Sequence, residues 1–443
     1  MARKKREPET ATIVSVAHDG RGITEIDGKK IFVSGALEGE IVRFQRRKRR
    51  RSYDEAELLE VLQPSGERIE PRCAVFGTCG GCSTQHISGQ AQRTIKQRAL
   101  ADNLKRIGRV EPRTWLDPIY DESADGGWNY RRRARLAAKE VAAKDRVLVG
   151  FREAHAPFVC DMHRCEVLAR PMDGLIDALS ELVSGMSISN RLPQIEVAIA
   201  DNVTELVFRV LESPSAADMA AFVRFAQQHR LQVSLQTGGP NTVTPVESGV
   251  SRLPLHYQLP AFSVTIEFGA TDFVQVNGPV NRLMVATAID LLDVQPKHRV
   301  VDLFCGIGNF SLPLARKAGY VLGVEGEEHQ VRRARHNANL NSIDNCEFRR
   351  ADLAALDGKE SWFRQGWDRL LLDPARSGAQ EVVANIEATG AARIVYVSCH
   401  PGTLARDAGI LVHEKGYCLE AAGIIDMFPQ TGHVESLAVF QKE

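Results

Sequence analysis

The chain has 443 residues, of which 44% are hydrophobic and 25% charged, a globular composition too long for one ordinary core, so two or three domains are expected. No apolar run reaches the ~18 residues of a membrane span, and no apolar stretch follows the basic start Met1-Ala2-Arg3-Lys4-Lys5-Arg6, so a cytoplasmic protein without leader or membrane contact is expected. The formal net charge of zero hides an asymmetry: residues 1–51 hold 14 Lys/Arg against 7 Asp/Glu, and the remainder is acidic by the same margin.

Short β-prone runs at Ala11–Ala17, Lys30–Val33, Glu40–Gln45 and Glu55–Leu62, punctuated by Gly turns, predict a small barrel of the OB type up to a Pro-Ser-Gly exit at 64–66. The basic run Arg43–Arg51 falls between two of these strands. It reads either as a solvated loop or as a hairpin that contacts phosphates. Next come Cys73, Cys79 and Cys82 in a C-x5-C-x2-C pattern within a Gly-rich loop. Three thiols so close suit Zn²⁺ or an iron–sulfur cluster. A fourth ligand would come from Cys160 or Cys165, and spacing does not choose between them. The odd total of nine cysteines argues against a disulfide framework.

A helix is expected over Ser88–Arg109, with Ile95, Ala99, Leu100, Leu104 and Ile107 on its apolar face and Lys/Arg opposite. Trp128–Leu136 reads as a strand whose aromatics and arginines form an RNA surface or merely a solvated face. Strand and helix signals then alternate to about residue 266, a central α+β domain without a catalytic motif. They include strands at Arg146–Phe151, Ile195–Ala200, Glu205–Val210 and Val233–Gln236, and helices from Pro171 and Ala216.

The last part, 267–443, reads as a doubly wound parallel sheet. The strand Arg299–Leu303 runs into Phe304-Cys305-Gly306-Ile307-Gly308-Asn309, a Gly turn at a helix N-terminus. Further strands end at Glu325, before Asp352, at Asp373 and at Cys399, so acids and one thiol share a rim. Ser311 stands where a dinucleotide fingerprint places its third Gly, which disfavours a nicotinamide cofactor. The turn with an acid after the second strand is similar to those of S-adenosylmethionine-dependent methyltransferases. Cys399 follows Ile394–Ser398, at the carboxyl end of a buried strand that Pro401 terminates. A thiol there is either a small core residue or a nucleophile.

Four motifs together resemble the RNA uracil-5-methyltransferase family: D-L-F-C-G-I-G-N-F (302–310), L-L-D-P-A-R (371–376), V-Y-V-S-C-H-P-G-T-L-A-R-D (395–407) and D-M-F-P-Q-T-G-H-V-E-S (426–436). The barrel and cysteine loop match the branch that modifies rRNA. The resemblance implies a TRAM barrel over 1–66, a central domain over 67–266 and a Rossmann-like methyltransferase domain over 267–443. It implies Cys399 as nucleophile and Glu435 as base. S-adenosylmethionine contacts would be Gln275, Phe304, Asn309, Glu325, Asp352 and Asp373, with Asp373 also aligning the base or methyl donor. A 4Fe-4S cluster would sit on Cys73, Cys79, Cys82 and Cys165. Glu166 stands where the family has Pro, and Ser398 and His400 where it more often has Asn. The implied substrate is uridine 1939 of 23S rRNA, handled by a monomer without an obligate protein partner. The alternatives are the same chemistry at another or a second rRNA uridine, or an RNA-binding iron–sulfur protein without activity.

Overall fold

The computed structural model describes residues 7–123, 126–247 and 252–443; the basic Arg3–Arg6 lie outside them. The N-terminal sheet has six strands: β1 (Glu9–Thr12), β2 (Ser15–Val16), β3 (Gly22–Ile26), β4 (Lys29–Ser34), β5 (Ile41–Arg49) and β6 (Tyr53–Gln63), ordered β1-β5-β6-β4-β3-β2. Its two outer strands are consecutive in the chain, parted only by Ile13 and Val14, so the sheet curls back on itself. Ile13, Ile31, Val33, Val42, Phe44 and Ala56 fill the inside. Strand β3 escaped the sequence reading because its apolar residues are few.

The basic run does not lie between two strands as expected. Up to Arg49 it is strand β5, and only the turn at 50–52 interrupts it. Alternation sends Val42 and Phe44 inward. The outward basic residues meet acids of β6: Arg43 meets Glu60, Arg47 meets Glu57, and Lys48 meets Glu55.

Helix α1 (Gly89–Asn103) begins at Ser88, whose hydroxyl accepts from Ala91 N, and continues as one π turn over Leu104–Gly108. That wider turn rotates the register. Ile107, expected on the apolar face, is 52% exposed, whereas Gln92 and Lys96 are buried with Leu100. A Cβ on Gly108 would lie 2.4 Å from Ala405 O, so this helix end rests directly on the C-terminal part.

Next come β7 (Thr114–Trp115), β8 (Arg133–Val141), β9 (Arg146–Gly150), α2 (Ile176–Ser184), β10 (Gln194–Ile199), β11 (Thr204–Arg209), α3 (Ala216–His229), β12 (Gln232–Gln236) and β13 (Val243–Pro245). The central sheet is ordered β13-β12-β11-β10-β8-β9. The strand expected over Trp128–Leu136 starts only at Arg133; Asn129 has φ 47° and Arg131 makes single bridges to Leu168 and Asn277. A hairpin of β14 (Leu255–Leu259) and β15 (Val264–Phe268) follows. Position 266 lies inside β15, and one apolar core runs through from Leu136 and Val197 to Val395 and Val439.

The C-terminal part contains α4 (Gly278–Leu292), β16 (Arg299–Leu303), α5 (Ser311–Ala315), β17 (Tyr320–Glu325), α6 (Glu328–Leu340), β18 (Cys346–Arg350), β19 (Arg369–Leu372), α7 (Gln380–Ala384), β20 (Arg393–Ser398), α8 (Pro401–His413), β21 (Tyr417–Ile425) and β22 (Glu435–Lys442). The sheet order is β18-β17-β16-β19-β20-β22-β21-β7. From β18 to β20 all pairs are parallel, and β22 runs antiparallel between β20 and β21. The order reverses between β16 and β19, which opens a crevice at their carboxyl ends. The third-glycine position is occupied for a reason: Ser311 donates its hydroxyl to buried Asp302. Gly323 makes room, since a Cβ there would stand 2.6 Å from Phe348 and 2.9 Å from Ser311 Oγ. Among the described residues no helix is long and apolar enough to cross a membrane.

Candidate active site

The sheet register brings Cys399 and Glu435 together. Ser398 pairs with Ser436 across β20 and β22, so the next step along that antiparallel ladder sets Cys399 opposite Glu435. Glu435 is the first residue of β22 and is 8% exposed. Burial, then the negative charge of Asp373, push its carboxyl up to about 8, against the pull of Arg376 and Lys96. Burial raises Asp373 to about 7. The Cys399 thiol is pushed up to about 11 by burial, then by Glu435 and Asp373; Arg376 opposes them. The three groups therefore form one electrostatic unit with more acid than cation.

Both departures beside the thiol are absorbed locally. His400 caps α8, its Nδ1 accepting from Thr403 N at 3.2 Å. Ser398 Oγ accepts from His400 N and donates to His400 O, both at 3.2 Å.

The other rim residues follow the crevice. Phe304 (φ 65°), Gly306 (φ 56°) and Gly308 (φ 97°) shape the turn after β16. Gly306 N donates to Glu325 Oε2 at 3.1 Å, binding the turn to the acid at the end of β17. Gln275 is half-buried just before α4, and exposed Asp352 caps the short turn after β18. The Asn309 amide is held by partners inside the chain. It exchanges two bonds with Asn281 at 3.0 Å and accepts from Tyr257 OH at 2.9 Å. Neither Asn281 nor Tyr257 carries a sequence signal for this role.

Cys399 opens on a cleft of about 970 Å³. The barrel (His18, Asp19), the cysteine loop (Gly80–Ser83), the central part (Arg131, Phe151) and the rim (Arg376, His433) all line it. Arg376 and Arg131 were not singled out by the sequence for this position.

Behind that cleft, Cys73, Cys79, Cys82 and Cys165 line one small cavity with Phe76, Gln85 and Met162. Burial, then neighbouring thiols, push Cys82 up to about 12, and burial likewise takes Cys165 to about 11. Cys160 does not line the cavity; it hydrogen-bonds Cys79. Among the described residues no three Cys, His, Asp or Glu side chains are drawn in closely enough to hold a metal ion.

Comparison with known proteins fits this arrangement. Residues 258–443 match the family model tRNA (Uracil-5-)-methyltransferase. A 23S rRNA (uracil(1939)-C(5))-methyltransferase RlmD of Alkalilimnicola ehrlichii is 50% identical over 100% of this chain and 98% of its own. The protein of that name from Methylococcus capsulatus is 48% identical over 98% of this chain and 97% of its own. The crystal structure of Pyrococcus abyssi tRNA (uracil-54, C5)-methyltransferase in complex with S-adenosyl-L-homocysteine superimposes with a TM-score of 0.75 at 22% identity, over 98% of this chain and 100% of that one. That likeness gives the C-terminal sheet its methyltransferase fold, and the full-length identities place the chain in the RNA uracil-5-methyltransferase family, within its RlmD group.

Proposed function

We propose that the protein transfers a methyl group from S-adenosylmethionine to C5 of uridine 1939 in 23S rRNA, as a cytoplasmic monomer. The observation that carries this reading is Cys399 set opposite Glu435 at the carboxyl end of β20, with Cys399 lining a cleft that the barrel and cysteine loop also line. C5 of uracil is a weak nucleophile. Addition of the Cys399 thiolate to C6 makes C5 enolate-like, so that it takes the methyl group in line. Glu435 then removes the C5 proton, and the C6–S bond breaks to return the thiolate. Asp373 aligns the base or the methyl donor. The methyl donor would be held by Gln275, Phe304, Asn309, Glu325, Asp352 and Asp373. The target base leaves any stack to reach this cleft.

The N-terminal sheet acts as a TRAM barrel that holds flanking RNA by phosphate contact. Cys73, Cys79, Cys82 and Cys165 fit a 4Fe-4S cluster. A bound cationic centre would let the buried Cys79 and Cys165 and the half-buried Cys73 and Cys82 lose their protons together. When bound, the cluster supplies rigidity to the cysteine loop.

The test is transfer of tritium from methyl-labelled S-adenosylmethionine to 23S rRNA, followed by mapping of the labelled uridine. Wild type labels uridine 1939. Cys399→Ala keeps its circular dichroism and loses transfer by at least about 10⁴-fold. A wild-type rate in Cys399→Ala removes the thiol from the chemistry, and label at another uridine replaces the target.

A further inference from the structure

The loop from Asp426 to Val434 delivers Glu435 into β22, and distant parts of the chain hold it. Gln92, 3% exposed on α1, is the centre of this bracing. Its two Nε2 hydrogens are shared among Gln430 Oε1 at 3.0 Å, Thr84 O at 3.1 Å and Ile87 O at 2.9 Å. Its Oε1 accepts from Gln430 N at 2.9 Å and Thr84 Oγ1 at 3.1 Å. Gln430 in turn accepts at its carbonyl from Ser83 N at 2.9 Å and Thr84 N at 3.1 Å. Ser83 Oγ accepts from Gly432 N at 3.1 Å.

One turn along α1, Lys96 Nζ donates to Asp426 Oδ1 at 2.7 Å and Phe428 O at 2.9 Å. The barrel closes the other side: a Cβ on Gly432 would lie 2.5 Å from Asp19 Cα. Gln430 has φ 66°, a conformation that a residue with a side chain keeps only where its surroundings impose it. The surroundings here are Gln92 and the cysteine loop, whose Cys82 directly precedes Ser83 and Thr84.

We propose that Gln92 is a positioning residue for proton removal: it fixes the 426–434 loop so that Glu435 faces Cys399, and ties that loop to the cysteine loop. The inference rests on the reading of Glu435 as the base. It predicts a defect at one step. Thiol addition and methyl transfer depend on the rim and persist, while removal of the C5 proton slows because the carboxylate is misplaced.

The experiment is a single-turnover reaction of the full-length, anaerobically purified protein with S-adenosylmethionine and 23S rRNA. The methylated covalent RNA–protein adduct is quantified on denaturing gels beside released product. Glu435→Gln is the control and accumulates adduct. Gln92→Met, which keeps length and loses every bond of the amide, resolves its adduct about 10- to 100-fold more slowly than wild type, with the KM for RNA and iron per chain unchanged. Ser83→Ala, on the exposed loop, shifts the same partition in the same direction by about 3-fold and serves where Gln92→Met is unstable. If Glu435→Gln traps adduct while Gln92→Met and Ser83→Ala resolve it at the wild-type rate, Gln92 does not position the base. A uniform loss of adduct and product also overturns the proposal, because only binding or folding has then changed. If Glu435→Gln itself traps nothing, the base assignment falls, and this inference with it.

Discussion

The rim of the C-terminal sheet and the outer face of the barrel are both dense in charge, and they handle it oppositely. On the barrel, Arg43, Arg47 and Lys48 each face an acid on β6. Even buried Asp54 is matched, by Lys29 at 2.6 Å and Arg46 at 2.9 Å, which outweigh its burial and hold its carboxyl below the ordinary range. On the rim, Asp302, Asp373 and Glu435 are pushed up to about 8, 7 and 8, each by burial first. Folding alone would not retain carboxyls so poorly compensated. The proposed chemistry would use two of them, Glu435 to remove a proton and Asp373 to align the base or the methyl donor, and a group that gains and loses a proton near neutrality is served by a shifted pKa. A run of arginines attracts the eye in a sequence, yet the proposed function rests on the weakly compensated acids of the rim.

The thiol cavity, where Cys79 and Cys165 are buried and Cys73 and Cys82 half-buried, gives the largest expected effect. Protein purified without oxygen should be brown and contain iron and acid-labile sulfide in equal amounts. Cys165→Ser should bring both close to background, because its thiol lines the cavity; Cys160→Ser should leave them unchanged. Retention in the first and loss in the second would move the fourth ligand to Cys160. Stoichiometric zinc in colourless protein would refute the cluster.

The coupling on the rim is smaller and is visible in pH dependence. Burial, Glu435 and Asp373 hold the Cys399 thiol at about 11. Reaction of that thiol with iodoacetamide should therefore still be rising with pH at pH 9, as the thiolate fraction grows. Glu435→Gln removes one of the raising charges. At pH 9 the natural Glu435, titrating near 8, is mostly ionised, so the variant should react about 3- to 10-fold faster. At pH 6.5 the natural carboxyl is neutral and the two proteins should react alike. Equal rates at both pH values would show that the two groups do not sense each other.

The same contrast explains what the sequence made legible. Parallel strands buried on both faces are continuous apolar runs, so β16, β17, β19 and β20 could be found from local pattern, and with them the strand-end positions of Glu325, Asp373 and Cys399. The short β7, the β14–β15 hairpin and β21 offered no such run. Lys96 looked like part of a solvated helix face, because its partner Asp426 lies 330 residues away. Gln92 and Asn281 are equally silent, since a buried amide is defined by partners that only the fold supplies. The Arg run misled for a related reason: its neutralising acids are in view ten residues later, but only the β5–β6 register shows which of them face it.

The smallest expected effect is on the barrel, where compensation can be removed without unfolding. The ion pairs of Arg43 with Glu60 and of Arg47 with Glu57 are half exposed on both sides, so each contributes at most about 1 kcal/mol. A phosphate can take over such a cation at little cost. If the barrel holds RNA as proposed, the acids would compete with the RNA backbone and limit how strongly it grips any RNA regardless of sequence. Replacing Glu55, Glu57 and Glu60 together with Gln should leave the melting temperature within a few degrees. Binding of non-target single-stranded RNA should tighten several-fold at low salt, with the salt dependence steepening by about 0.7 in log–log slope for each phosphate gained. Fluorescence anisotropy over a salt series measures both. An unchanged slope would mean that RNA does not approach this face, and that the pairs serve only to fasten β5 to β6.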